Sequence, residues 1–418
     1  MRRTLITAFS CLAVATPVLA GEEPPPNFAE DTLTGDWGGT RSAAAKKGFE
    51  FEGLARIDAL RNRGAISNGS RHISHLDFKL KMDLEKAAGW NGTSAMINVV
   101  SDGGWGPNAR HVGAQMGVTN IEVGAPTTTR LFQAWLQQSF LDDRLAVLAG
   151  LYPIDSEFFT MDSAGVFIGP QYGTPADLAQ TRGPSIFNNS AFGLRAKWNI
   201  TKSVYAMGAL LDGIPNDPAR PKRTAIRFAK NDGSFGIGEF GWLPEAENEK
   251  FKGHAKAAIG LWGYSTKVND QRDLDGANNP LQRSQRGGYI LGERSLVNLG
   301  GEQERFISAF ARYTWTDGDS TPVKNSVNLG LHVKGPVASR PDDVLGFAWS
   351  RAGMSQKWRD VQAVPGDTKS AEDVLEITWR VAVTPWLAIQ PNYQQMRNPG
   401  GGNAPKAKLL GARIDVTL

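Results

Sequence analysis

From His75 the chain reads HLDFKLKMDLE, which puts Leu76, Phe78, Leu80, Met82 and Leu84 at one parity and Asp77, Lys79, Lys81, Asp83 and Glu85 at the other. Only an extended strand, with its period of two, sorts such a segment into two faces. Similar segments recur near residues 50–60, 75–85, 93–101, 129–140, 145–151, 192–198, 203–211, 234–242, 253–264, 288–295, 304–314, 325–335, 343–351, 373–383, 386–396 and 409–418. This predicts about sixteen strands, an even number. Connections after even-numbered strands are mostly short, as in LDDR at 141–144, NITK at 199–202 and Thr384-Pro385. Those after odd-numbered strands are mostly long, the longest being residues 152–191. Short turns at one end and long loops at the other are the rhythm of an all-β, transmembrane antiparallel β-barrel of the outer membrane, with both termini on the periplasmic side.

In such a barrel the apolar parity faces lipid and the polar parity borders water. The inward set then includes Glu52, Arg56 and Asp58, Arg195 and Lys197, His254, Lys256, Trp262 and Tyr264, Arg312, Glu376, Thr378 and Arg380, and Gln390, Asn392 and Gln394. The final segment alternates Leu410, Ala412, Ile414, Val416 and Leu418 with Gly411, Arg413, Asp415 and Thr417. A strand reaching the end of the chain can close the barrel, so that no unpaired backbone edge is left in hydrocarbon. Outer-membrane strands usually end on an aromatic residue, and Leu418 departs from that habit.

Composition narrows the picture. The chain has 418 residues, 41% of them hydrophobic and 21% charged, with 47 Gly and 19 Phe, which excludes a disordered chain. Mean hydropathy is −0.32, and no apolar run beyond the N-terminus approaches the roughly 18 residues of a spanning helix, so a helical transporter is excluded. Residues 1–20 (MRRTLITAFSCLAVATPVLA) have the basic start, short apolar stretch and small final residues of a signal peptide. Residues 21–48 read as a periplasmic N-terminal segment with a short helix, and 49–418 as the barrel. The single cysteine, Cys11, falls in the leader, so thiolate chemistry and disulfides are not expected downstream. A formal net charge of +4, two charges of which are leader arginines, gives no reason to expect a nucleic-acid partner.

Cofactor motifs are few. Gly236 to Gly241 satisfies G-x-G-x-x-G, but WLPEAENEK follows where an apolar helix would be needed, and the segment reads as a glycine-bearing strand. His72 and His75 have metal-like spacing at a predicted loop–strand junction, but the five histidines are scattered, and no metal or cofactor is expected. The Gly-, Pro- and Asn-rich RGPSIFNNS at 182–190 is expected in a solvent-exposed loop.

LTGDWGGTR at 33–41, followed by an Ala- and Lys-rich stretch, resembles the opening of the OprB-type carbohydrate-selective porins. TTTRLFQAWLQQSF at 127–140, DSEFF at 155–159, KGPVASRPDDVLGFAWSR at 334–351 and TPWLAIQPNYQQMRNPGG at 384–401 continue the resemblance in order. It implies a sixteen-stranded porin passing small sugars passively through the outer membrane, with lipid around it and no enzymatic activity. Gln133 and Phe132 stand where many relatives carry Glu and Tyr, which bears on the preferred solute.

A sugar offers hydroxyls that donate and accept, and C–H faces that pack on aromatic rings. A lining that mixes Arg, carboxylates and amides can replace part of its hydration shell. The constriction candidates are Arg56, Asp58, Arg130, Gln133, Trp135, Asp155 at the start of the longest loop, Glu157, Trp262 and Arg312. Arg–acid pairs inside a barrel can equally brace the wall, and Trp135 can equally be wall packing. Two further readings stand beside the sugar channel. One is an anion-selective porin with a basic lumen; the other is a barrel hydrolase, which would need a Ser facing His72 or His111 at the rim. A homo-oligomer is compatible with the sequence.

Overall fold

The period-two alternation is realised as strands in a computed structural model, which describes residues 27–124, 127–244, 255–301, 304–362 and 367–418. The sixteen strands are β1 (Phe49–Arg63), β2 (Gly69–Asp83), β3 (Thr93–Gly103), β4 (Thr128–Phe140), β5 (Leu145–Tyr152), β6 (Ala191–Asn199), β7 (Val204–Asp212), β8 (Ser234–Trp242), β9 (Ala255–Leu274), β10 (Pro280–Asn298), β11 (Phe306–Thr316), β12 (Val323–Lys334), β13 (Val344–Met354), β14 (Ala371–Thr384), β15 (Leu387–Arg397) and β16 (Ala407–Thr417). Each pairs antiparallel with its sequence neighbour, and β1 pairs with β16 to close the barrel. The seam is tight even without a terminal aromatic, since the Leu418 N–H donates to Gly53 O at 2.8 Å.

The faces sort as the alternation requires. Leu76, Phe78, Leu194, Leu210, Leu261 and Leu410 point outward and are exposed, Leu410 by 65%. Their inward neighbours Arg56, Asp58, Asn98, Arg195, Glu376 and Gln394 are buried. Polar inside and apolar outside inverts a soluble protein and suits only a hydrocarbon surround. The GIGEFG segment is β8, as read from sequence. His72 is exposed on the outward parity of β2 while His75 is buried inward, so the two do not converge.

Two strands run further than the sequence suggests. β9 and β10 have 20 and 19 residues, and their outer parts carry exposed Lys267 and Arg272 where lipid-facing apolar residues stop, so the hairpin projects beyond the apolar band. The external loops are L1 (64–68), L2 (104–127), L3 (153–190), L4 (213–233), L5 (275–279), L6 (317–322), L7 (355–370) and L8 (398–406). L1, L5 and L6 are short, against the expected long loops, and in L5 this is because the strands themselves extend. The leader at 1–20, the first residues of the segment at 21–48, and His254 lie outside the described residues.

The LTGDWGGTR element folds into a knot at the short-turn end. Gly38 and Gly39 have φ of 67° and 92°, a left-handed turn that side chains disfavour. The turn delivers the chain into a helix at Thr40–Lys46, whose Ser42 N–H donates to Asp36 Oδ1 at 2.7 Å. Arg41 is buried, lies 4.5 Å from the Phe28 ring centroid and 5.0 Å from that of Trp37, and donates to Phe51 O of β1 at 2.6 Å. Leu33 N–H donates to Thr417 O of β16 at 2.8 Å.

Candidate functional site

The barrel interior holds two external loops. L3 turns inward immediately after β5 and buries Ile154, Phe158, Phe159, Val166, Phe167 and Tyr172 against inward Tyr205, Phe235, Trp262, Tyr289 and Phe310 of the wall. L2 buries Val112, Met116 and Val118 with Ile168 of L3 against Leu60, Val374, Met396 and Leu409. The interior of this porin-like barrel is thus largely a packed plug, and its apolar burial accounts for side chains that a water-filled lumen would expel.

Wall carboxylates fasten the plug by its backbone. Glu376 on β14 accepts from the N–H groups of Ile168 and Gly169 at 2.8 and 3.1 Å. Glu372, two inward positions nearer the external end, accepts from Gln115 and Met116 of L2 at 2.9 Å each and from Gly400 of L8 at 2.6 Å. Glu293 on β10 accepts from the N–H groups of Asp162 and Ser163 at 2.9 and 2.7 Å. A loop taken out of water must find partners for its backbone, and a carboxylate accepting several N–H bonds is a strong one. Gln390 and Gln394 donate to Val166 O and Val118 O at 2.6 and 2.9 Å.

The nine sequence candidates all sit in or against this interior. Arg312 on β11 is fully buried and donates to the carbonyls of Phe159, Gly173 and Gln171 and to Asn328 Oδ1. Arg130 on β4 donates to Asn188 O, Asn189 Oδ1 and Pro221 O, joining L3 to L4. Arg56 forms a bidentate pair with Asp415 at 2.7 and 2.9 Å, and Asp58 one with Arg413 at 2.7 and 2.8 Å, across the β1–β16 seam. Thr119 of L2 donates to Asp58, so the seam also holds the loop. Glu157 accepts from Arg195 at 2.7 and 3.0 Å and from the Tyr152 hydroxyl at 2.5 Å. Trp262 packs near-parallel to Phe235, centroids 6.2 Å apart, beneath L3. Gln133 accepts from Trp135 Nε1 at 3.2 Å and donates to Asn98 at 3.4 Å.

Asp155 accepts from Phe187 N–H at 3.0 Å and the Thr174 hydroxyl at 3.2 Å, and its Oδ1 has no partner among the described residues. Burial pushes this loop carboxyl up to about 6. The packed loop therefore binds a proton more tightly than the free loop, whose carboxyl titrates near 3.8, and its hold weakens as pH rises from about 4 to about 6. L3 is expected to be firmer at about pH 4.5 than at about pH 7.5, with fewer current fluctuations in single-channel records, and Asp155→Asn should reduce the difference, leaving the part carried by the buried Asp177 of the same loop.

Sequence reasoning left open which loop enters the barrel and read 182–190 as a solvent-exposed loop. That expectation is corrected: Ser185, Asn188 and Ser190 are buried, with Asn188 donating to Asp102 at 2.8 Å. Glu293, Glu372 and the role of L2 were also missed. The available signal was the apolar content of nominal external loops, such as GVFIG at 165–169 and Val112, Met116 and Val118.

Most of the inward polar side chains that keep part of their surface lie on β1–β6, with Lys256 on β9 and Arg380 on β14 also partly buried. Asp77 and Lys79 are 16% and 17% exposed and Lys81 34%, while Glu52, Trp135, Gln137 and Lys197 are partly buried. Opposite Trp135, Gly150 has φ of 144°, and a Cβ there would lie 2.6 Å from Trp135 Cα. The bare backbone leaves room for the indole.

A family model described as carbohydrate-selective porin, OprB family, matches residues 67–418. The chain belongs to this family. The OprB-family assignment is accompanied by 25% identity to Porin B of Pseudomonas aeruginosa, over 98% of this chain and 96% of that protein. The fold is that of Pseudomonas putida OprB in its high-pH structure, with a TM-score of 0.82 at 23% identity over 95% of this chain and all of that one. The outer membrane channel DcaP of Acinetobacter baumannii shares the architecture more loosely, with a TM-score of 0.54 at 12% identity over 88% of this chain. As an OprB-family member the chain is a carbohydrate-selective porin of the outer membrane, a channel in kind.

Proposed function

We propose that mono- and small oligosaccharides diffuse through the path left between the L2–L3 plug and the β1–β6 wall, and that the nine residues set its width in two ways. Arg56, Asp58, Arg130, Asp155, Trp262 and Arg312 act by holding wall and loops in place. Trp135 and Glu157 act closer to the solute, together with Asp77, Lys79, Gln137 and Lys197, while the buried Gln133 orients Trp135. The observation that carries this reading is the number of partly exposed inward polar groups, with one indole, on β1–β6, against a mostly packed interior elsewhere in which Lys256 and Arg380 also keep some exposure.

The mixture suits a neutral polyol. Lysines donate, carboxylates accept, Gln137 does both, and the indole face takes C–H groups, so desolvation is repaid in small parts and the solute stays weakly held. The lysines also favour a modest anion preference, measurable as a reversal potential that shrinks with salt.

Liposome swelling across a sugar series, with an amino acid of glucose size as control, tests the reading. Trp135→Ala should weaken sugar block of ion current by about tenfold, the equivalent of about 1.4 kcal/mol of ring packing. Equal entry of glucose and the amino acid into wild-type liposomes would sink sugar preference and leave the barrel intact.

A further inference from the structure

The outward face carries a charged row that the transport path does not use. Strands β13, β14, β15, β16 and β1 are consecutive in the wall. Near their external ends their outward positions are Arg351, Asp373, Arg397, Lys408 and Arg63, with Arg61 one outward position below Arg63. The register makes them neighbours: Arg351 faces Asp373, Asp373 faces Arg397, and Lys408 faces Arg63. At about 4.8 Å between strands, the row spans roughly 20 Å around the barrel.

Three features set it apart. Arg61, Arg63, Arg397 and Lys408 are exposed and have no carboxylate within ion-pair distance among the described residues, whereas Arg351 reaches Asp373 at 3.5 Å. Arg63 and Lys408 are directly opposed like charges, an arrangement that destabilises a strand pair unless an anion lies between them. One outward position below the row, Trp349 lies beside Leu375 and Tyr393 beside Leu410, with exposed Phe347 and Ile389 further below. The charges therefore give way to an apolar band that carries Trp349 and Tyr393 at its upper edge, which places the cations at head-group height. The corresponding outward ends of β3, β4 and β6 carry the uncharged Ser101, Thr129 and Phe192.

We propose that this row binds the phosphate-bearing head groups of outer-leaflet lipid. Arg forks and the Lys ammonium match phosphate oxygens, and the long stems let the cations rise from the apolar band to reach them. The ligand supplies the anion that the Arg63–Lys408 opposition lacks, and it fixes one flank of the barrel to its lipid neighbours. The proposal rests on the outer-membrane location and is independent of which solute permeates.

The test uses the full-length porin in detergent, titrated with bis-phosphorylated lipid A, the same lipid stripped of both phosphates, and inorganic phosphate as competitor, with bound lipid counted by native mass spectrometry. The triple variant R63Q/R397Q/K408Q should bind the bis-phosphorylated lipid at least tenfold more weakly, and the stripped lipid should bind both proteins weakly. K267Q/R286Q, which removes exposed cations of the β9–β10 hairpin, should bind like wild type. Heat-modifiable gel mobility and unchanged sugar permeation establish that the triple variant is folded and that the transport reading is separate. Equal retention by wild type and triple variant, or tight binding of the stripped lipid, overturns the proposal. So does a disulfide dimer formed in native membranes through Gln395→Cys, which would show a second copy covering the row.

Discussion

Replacing Arg312 by Met should free L3 from the wall and turn a selective pore into a wider, less discriminating one. The guanidinium is buried and serves three carbonyls of L3, those of Phe159, Gln171 and Gly173. Met fills much of the volume but donates nothing, and each stranded carbonyl costs roughly 1–3 kcal/mol if it stays dry. The loop has a cheaper alternative, which is to leave the interior and hydrate. The barrel ladder does not depend on it, so the protein should still migrate as a folded barrel. Planar-bilayer conductance should roughly double or more as the plug withdraws, and sugar block should be largely lost. Unchanged conductance and block would show that apolar packing alone retains the loop.

Glu372→Ala should release L2 in the same way, by a different lever. Its carboxylate accepts from two N–H groups of L2 and one of L8, so its removal unseats the two loops together. Charged acceptors contribute about 1.5–3 kcal/mol per bond, enough to shift a surface-connected loop toward solvent. The expected result is protease cleavage within 104–124 in intact membranes at a rate about tenfold or more above wild type, since opening of a few kcal/mol governs access. Glu372→Gln should fall between, because its amide oxygen still accepts while its charge is gone. Cleavage at the wild-type rate in the Ala variant would mean that the apolar cluster around Val112 and Val118 holds L2 by itself.

The architecture was readable because lipid enforces it residue by residue. Outward Leu76 and Phe78 and inward Asp77 and Lys79 sort as the two faces require, and sixteen strands are found where sixteen were expected, with β9 and β10 running well past their expected ends. The interior was less readable because a packed loop inside a barrel leaves no periodic trace. Glu376 lies on the inward parity and was named, yet nothing local says whether it meets a sugar hydroxyl or the N–H of Ile168. That choice is made by a loop some 200 residues away in sequence. Arg130 and Arg312 look like pore lining for the same reason, and only the carbonyls that meet them reveal fastenings.

The Arg41 knot joins what translation keeps furthest apart. Through Phe51 O and Thr417 O it grips the first and last staves of the cylinder at one rim. The clasp needs β16 as well as β1 in place, so the segment ahead of the barrel can settle only once the cylinder has closed. A barrel left open at that seam offers the Arg41 element one stave and no second hold.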